Sequence, residues 1–383
     1  MSKHIAFINP INEFYSPVSG GAIATILMQN ARELARRGNR VSVLTPMNAD
    51  ETYDSGEVIG VHTPRRGELN VVQRALSRLS WRMNKWIGPY YEYYLSSIVK
   101  ELRKLNPAPD AVVCFNDIVA PSHLRKHQLG SRLLVSLQNE VRLARPRAKS
   151  LIGSIDKLLA CSRYIGEWTA AEYGVPDAKM AVLTSGVDLE VFYPREDYLK
   201  AGNALRILFV GRIDHNKGPD IAADAVAALR REGLPVELTV AGGLWFYGHG
   251  KENEDPYFQL LKGKMEAAEA RYLGHVTRKQ IGEVFRSHDV VCVLSRSTEP
   301  FGLVVLEAMA SGCAVVASNR GGLPDACGPA GALLDPEDLP AVTGILRRYC
   351  QDPTALADAK RKCRAHAAHC SWASTVDALE ALL

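Results

Sequence analysis

Residues 299–318 read E-P-F-G-L-V-V-L-E-A-M-A-S-G-C-A-V-V-A-S. The apolar run Val290–Leu294 ahead of them predicts a buried strand, and Pro300 and Gly302 then break the chain. A short helix is expected to about Ser311, Gly312 supplies its stop, and Ala314–Ala317 resume a buried strand. The loop of this strand–loop–helix–strand unit opens onto a helix N-terminus. Free backbone N–H groups and the positive dipole end favour an anion there, above all a phosphate. Two carboxylates frame the position. Glu299 lies in the loop, and Glu307 lies inside the helix, roughly 7 Å along its axis from Gly302 at ~1.5 Å per residue. That is about the reach from a pyrophosphate to the ribose of the same nucleotide. By themselves the two carboxylates suit an ordinary helix, with one capping and one exposed Glu, equally well.

Working backwards, R-I-L-F-V at 206–210 predicts a buried strand, followed by G-R-I-D-H-N-K-G (211–218) and the helix Pro219–Arg231. In such a β–loop–α turn Arg212 and Lys217 can aim at one pocket, the first with planar forked donors and the second as a mobile point charge. As isolated residues they would be solvated surface charges; beside the Glu299 stretch they read as phosphate ligands. Val236–Gly242 is the next strand, with a glycine exit, and Arg271–Val276 another. A helix is expected over Arg278–Ser287, and helices fill 337–383, the last running from Ala357 to Leu383.

The first half has the same plan. His4–Asn9 predicts a strand, and Gly20-Gly21 opens a helix to about Arg37. This is not G-x-G-x-x-G and no acidic residue closes the next strand, so NAD is not expected. Ala111–Phe115 and Arg132–Leu137 are buried strands with polar tips, Asn116-Asp117 and Gln138-Asn139-Glu140. Strand ends of this kind line clefts. Strands Lys157–Ser162 and Met180–Thr184 follow. Two successive β/α halves predict an α/β protein with two facing, doubly wound parallel sheets and a cleft between them. Expected boundaries are 1–195 for the first domain, 204–356 for the second, and 357–383 for a helix crossing back to the first.

E-P-F-G-L-x-x-x-E-A-M-A-x-G, V-G-R-x-x-x-x-K-G at 210–218 and S-G-V-D-L-E-V-F-Y-P at 185–194 together resemble glycosyltransferase family 4, the retaining nucleotide-sugar enzymes of the GT-B fold. The resemblance is tight over 210–218 and 297–318 and loose over 46–180. It implies transfer of a hexose from a nucleotide diphosphate sugar, a UDP-sugar first and GDP-mannose second, to a glycan or glycolipid hydroxyl. It implies retention of configuration, no metal and no other cofactor. Donor contacts would come from Gly20, Gly21, Arg212, Lys217, Gly274, His275, Val276, Glu299, Pro300, Phe301, Gly302, Leu303 and Glu307. Of these, Glu299, Arg212 and Lys217 would also act in catalysis, and Glu307 would hold the ribose. One departure is Gln138, which stands where many members carry a His; Asn139, Glu140 or Asp117 would then share that role on the acceptor side with Asn116. A nucleotide-sugar epimerase or hydrolase of the same fold, and a silent sugar-nucleotide-binding protein, are the competing readings.

Composition sets the outer bounds. With 47% apolar and 23% charged residues, 383 residues suffice for two buried cores. No apolar run reaches membrane-spanning length, and the N-terminus enters a strand without a secretory leader, so a cytoplasmic protein is expected. The eight cysteines form no C-x-x-C pair and read as small buried hydrophobes. Residues 1–195 hold 25 Lys and Arg against 18 Asp and Glu, a basic half that suits an anionic partner or plain solubility. Within 65–105, Arg65, Arg66, Arg74, Arg78, Arg82 and Lys85 interleave with Trp81, Trp86, Tyr90, Tyr91, Tyr93 and Tyr94. That mixture suits an amphipathic helix with snorkelling arginines, or peripheral association with the inner face of the cytoplasmic membrane and a lipid-linked acceptor, in bacterial surface polysaccharide or lipopolysaccharide synthesis. No nucleic-acid-binding pattern is present.

Overall fold

The computed structural model describes residues 2–18, 21–47, 51–63, 72, 89–130, 132–142, 145–200, 202–244 and 255–383. By contacts the chain divides into two compact units, Met1–Thr184 with Thr375–Leu383, and Ser185–Ser374.

The first unit is built on a seven-stranded sheet of β1 (His4–Ile8), β2 (Arg40–Pro46), β3 (Glu57–Val61), β4 (Ala111–Phe115), β5 (Arg132–Leu137), β6 (Lys157–Ala160) and β7 (Met180–Val182). Its order is β3-β2-β1-β4-β5-β6-β7, and every pairing is parallel. All five residues of β1 and of β4 are buried, as unbroken apolar runs in a sheet covered on both faces require. The helix Ala22–Arg36 turns Ala24, Leu27, Ala31 and Leu34 inward, the spacing of one helical face. Ser162 caps Arg163–Tyr173 by accepting from Ile165 N, and Gly174 ends that helix in the left-handed region at φ 65°. The helix Pro89–Leu102 buries Tyr94, Ile98 and Leu102. Arg65, Arg66, Arg74, Arg78, Trp81, Arg82, Lys85 and Trp86 lie outside the described residues.

The second unit carries a six-stranded parallel sheet of β8 (Leu205–Val210), β9 (Val236–Ala241), β10 (Arg271–Gly274), β11 (Val290–Val293), β12 (Ala314–Ser318) and β13 (Ala332–Leu334), in the order β10-β9-β8-β11-β12-β13. Ile207, Phe209, Val226, Leu229, Val290 and Val316 lie in its core. Full burial of each contributes about 1.5–3 kcal/mol. Beneath the sheet Lys360, 2% exposed, donates to Asp289 Oδ1 at 2.6 Å and to Tyr198 O at 2.8 Å. Arg206 meets the same carboxylate through Nε and Nη2, each at 2.9 Å. The group ties the helix Pro353–His369 and the polar segment around Tyr198 to the bases of β8 and β11.

Each sheet reverses its strand order at one place, between β1 and β4 in the first unit and between β8 and β11 in the second. The loops leaving adjacent strands diverge at such a switch point, and ligands bind outside the carboxyl ends there. Strand β3 and the helices Ala120–Lys126, Arg145–Gly153, Pro256–Ala267 and Leu323–Cys327 were not expected from the sequence, and the helix expected over 357–383 is two, Pro353–His369 and Trp372–Glu380. The interruption has a cause: Val187 N donates to Cys370 O at 2.8 Å, and Val187 pairs with Ser371.

Candidate active site

Both loops of the second unit that the sequence reads as phosphate-binding leave its switch point. The loop after β8 begins at Gly211, and Asp214 caps the 3-10 turn His215–Lys217 by accepting from Asn216 N at 2.8 Å and Lys217 N at 3.2 Å. Gly218 then takes φ 70°, and a Cβ there would lie 2.1 Å from Leu294 O. Only glycine lets this loop rest against the exit of β11. The β11 loop runs to Gly302, at φ 103°, which starts the helix Leu303–Ala310. That helix is apolar on nearly every side and correspondingly buried, so Glu307 projects from a core element and is 9% exposed.

These loops bring the predicted charges together. Lys217 Nζ donates to Glu299 Oε1 at 2.5 Å, and Ser295 Oγ donates to the same oxygen at 2.6 Å. Glu299 O accepts from Gly322 N at 2.6 Å, and a Cβ on Gly321, at φ 59°, would stand 2.4 Å from that oxygen. Pro300, Phe301, Gly302 and Leu303 form the turn into the helix, with Phe301 buried. Arg212 pairs with Asp214 through Nε, and its side chain keeps 40% of its surface exposed.

Beside these loops is a cavity of about 270 Å³ lined by Gly211, Arg212, Gly242, His275, Val276 and Glu307, among others. Gly242, at φ 149°, would bring a Cβ within 1.7 Å of Gly211 O, so the exits of β8 and β9 approach as only glycine permits. Gly242 N donates to Gly274 O at 2.7 Å, which places the start of the His275–Val276 segment. Arg278 pairs with Glu307, Nη2 to Oε1 at 2.9 Å, and lies over the Phe192 ring at 5.7 Å. The cavity therefore offers backbone groups, two guanidinium groups and one buried carboxylate, a set suited to a nucleoside with an attached phosphate.

In the first unit, Gly20 lies outside the described residues, while Gly21 N and Ala24 N donate to Glu13 Oε1 at 2.8 and 3.3 Å. A carboxylate of the same chain thus sits at the helix start read as a phosphate turn. Burial pushes the Glu13 carboxyl up, against these two backbone donors. Asn116, at φ 50°, accepts from Gln138 N through Oδ1 at 2.6 Å, and Gln138 Nε2 donates to Ser136 Oγ at 2.8 Å. The strand tips are thereby braced together. Asp117 differs from the acceptor-side reading. It is buried, accepts from Val119 N and Ala120 N at 3.0 Å each, and receives the Tyr91 hydroxyl. Burial raises its carboxyl pKa, and its two backbone bonds serve the start of the next helix. Asn139 is exposed, and Glu140 is held below the usual carboxylate range by Tyr164 and then Arg142.

Residues 194–367 match the family model described as glycosyl transferases group 1, and residues 20–191 the one described as glycosyltransferase family 4. The chain belongs to glycosyltransferase family 4. A D-inositol 3-phosphate glycosyltransferase of Mycolicibacterium smegmatis is 34% identical over 243 residues, covering 60% of this family 4 chain and 53% of that one. The chain spans about half the length of the curated relatives it matches. A sucrose-phosphate synthase from Thermosynechococcus elongatus superposes with a TM-score of 0.74 at 18% identity, over 99% of this chain and 98% of that one. Anabaena HepE, in complex with UDP-glucose, superposes with a TM-score of 0.70 at 16% identity, over 100% of both chains. At these identities the likeness is one of fold, the GT-B fold.

The family 4 motifs supplied Glu299, Glu307, Arg212 and Lys217. They did not supply Ser295, which shares Glu299 Oε1 with Lys217, or Arg278, which holds Glu307. The one sequence signal for Arg278 is its place just after His275-Val276, the segment read as a base contact. Ser295 stands where the β11 run turns polar.

Proposed function

We propose that this protein is a retaining, metal-independent glycosyltransferase. It moves a hexose from a nucleotide diphosphate sugar, a UDP-sugar first and GDP-mannose second, to a glycan or glycolipid hydroxyl in bacterial surface polysaccharide synthesis. The observation that supports this reading best is the Lys217–Glu299 pair at the start of the Leu303–Ala310 helix, beside a cavity carrying Arg212 and Glu307. The D-inositol 3-phosphate glycosyltransferase relative and the UDP-glucose complex of HepE support the reaction class and the donor class.

In this reading Glu307 takes the ribose hydroxyls, and His275 and Val276 meet the base. Lys217, Arg212 and the helix N-terminus take the diphosphate charge that grows as the anomeric C–O bond breaks, cationic help that needs no metal. The acceptor oxygen bonds the same face of that carbon, and its proton passes to the leaving phosphate. Glu299, already fixed by two donors, orients the sugar and stabilises its oxocarbenium-like charge. Asn116, Gln138, Asn139 and Glu140 serve the acceptor side, and the basic-aromatic 65–105 segment serves a lipid-linked acceptor at a membrane surface.

The test is a panel of UDP-glucose, UDP-N-acetylglucosamine, UDP-galactose and GDP-mannose in magnesium-free buffer with EDTA. Wild type and Glu299→Ala are compared for thermal shift and nucleotide release, with and without glycolipid extract. One donor should bind and turn over in wild type alone. Release with no acceptor effect marks a hydrolase or epimerase, binding without turnover marks a silent binder, and no binding sinks the nucleotide-sugar reading.

A further inference from the structure

Lys217 has a flexible four-carbon stem, and its ammonium alone cannot define where the Lys217 turn stands. What defines it lies behind the ion pair, at Arg296, three positions before Glu299. The guanidinium grips Asp220 with both arms, Nη1 to Oδ1 at 2.8 Å and Nη2 to Oδ2 at 2.7 Å. Asp220 opens the helix that follows Lys217, is 6% exposed, and also accepts from Tyr257 Oη at 2.6 Å. Burial alone would raise its pKa, yet Arg296 and Tyr257 hold the carboxyl below the usual range. Arg296 Nη1 donates further to His215 O at 2.8 Å, and Arg296 N donates to Asn216 O at 2.7 Å. Arg296 O in turn accepts from Arg320 Nη1 at 2.6 Å. Main chain and side chain of one residue thus hold the turn at His215, Asn216 and Asp220.

We propose that Arg296 is a positioning residue that fastens the Lys217 turn to the Glu299 loop, so that diphosphate and sugar contacts form one preset body. The inference rests on the nucleotide-sugar reading above. A bidentate guanidinium–carboxylate pair fixes angle as well as distance, which a single Lys contact does not. With Gly218 against Leu294 O, the two loops touch along their backbones as well as through Lys217 and Glu299. Arg296 is absent from the lining of the nucleoside cavity, where Arg278, His275 and Glu307 stand. Its loss therefore acts on the diphosphate increment of binding and leaves the nucleoside increment in place.

The experiment titrates the full chain with uridine and UDP, and with guanosine and GDP, in magnesium-free buffer. Wild type is compared with Arg296→Lys, Arg296→Met and Tyr257→Phe. For the preferred base, Arg296→Met should cut the ratio of diphosphate to nucleoside affinity at least tenfold while the nucleoside Kd stays within twofold. Arg296→Lys should fall between, and Tyr257→Phe should change the ratio by less than threefold. Equal weakening of nucleoside and diphosphate would show a merely structural role and overturn the proposal, as would an unchanged ratio in Arg296→Met. If Arg296→Met fails to fold, the Lys variant decides, since its nucleoside affinity reports a folded cavity. Wild type that binds neither diphosphate more tightly than its nucleoside would instead overturn the nucleotide-sugar reading, and this inference with it.

Discussion

Arg278 Nη2 lies 2.9 Å from Glu307 Oε1, so the carboxylate read as the ribose ligand is charge-paired within the protein. The ion pair is made at Oε1, and a carboxylate carries acceptor sites on both oxygens. Glu307→Gln should weaken UDP binding about 10- to 100-fold, the ~1.5–3 kcal/mol of hydrogen bonds to a charged acceptor. Arg278→Met, which keeps an apolar stem near Phe192, should weaken it several-fold and narrow the preference for UDP over 2′-deoxy-UDP. Calorimetric titration decides, and unchanged UDP affinity in Glu307→Gln would remove the ribose role.

Lys217→Ala leaves Glu299 with Ser295 as its donor at Oε1. Losing one cation aimed at the departing diphosphate should lower kcat/KM about 10²- to 10³-fold, the scale of removing a preorganised electrostatic donor. Lys217→Arg should recover part of the loss. Steady-state kinetics with the best donor from the panel tests this, and a KM effect with kcat unchanged would mean uniform binding only.

Gly242→Ala should be among the harshest single substitutions in the second unit. Its backbone is at φ 149°, and the new methyl would stand 1.7 Å from Gly211 O. A side chain that cannot rotate away forces the strand exits apart, at about 2–4 kcal/mol in stability. Nucleotide binding should vanish in whatever folds. A denaturation midpoint equal to wild type would contradict the close approach.

Asp289 predicts an acid limb of stability. Burial works to raise its pKa, but Arg206 and then Lys360 outweigh burial and hold it below the usual carboxylate value. The folded carboxyl therefore binds its proton less readily than the unfolded one. The stability it contributes is present above the ordinary carboxylate pKa of about 4 and is lost as pH falls through the lower, folded value. Asp289→Asn should cost about 3–5 kcal/mol at pH 7, because it leaves Lys360 buried beside the Tyr198 carbonyl without its counter-charge. The variant should also lose less stability than wild type between pH 5 and pH 3. Denaturant midpoints across that range check both expectations.

Strands buried on both faces were legible because such strands must be apolar throughout, as in Ile5–Ile8, Val112–Phe115 and Val290–Val293. Loop charges were legible wherever a family motif spans them, as with Lys217 and Glu299. Strand β3 was not, since at the sheet edge its residues grade from exposed Glu57 to buried Val61 and show no run. Nor was the break at Cys370–Ser371, where helical sequence is interrupted by a contact from Val187, far away in the chain. The seating of Glu13 on Gly21 and Ala24 depends on a loop path that no local pattern encodes.

The stretch Thr375–Leu383 belongs with Met1–Thr184, although Ser185–Ser374 is made in between. Arg37 pairs with Asp377 and Glu380, which are synthesised only after the whole of Ser185–Ser374. Vectorial folding, N-terminal unit first, therefore cannot finish here in the order of translation. The unit begun before Ser185 is closed only after Ser374 has been made, and a nascent chain that stops short of Thr375 carries a finished second body joined to an unfinished first.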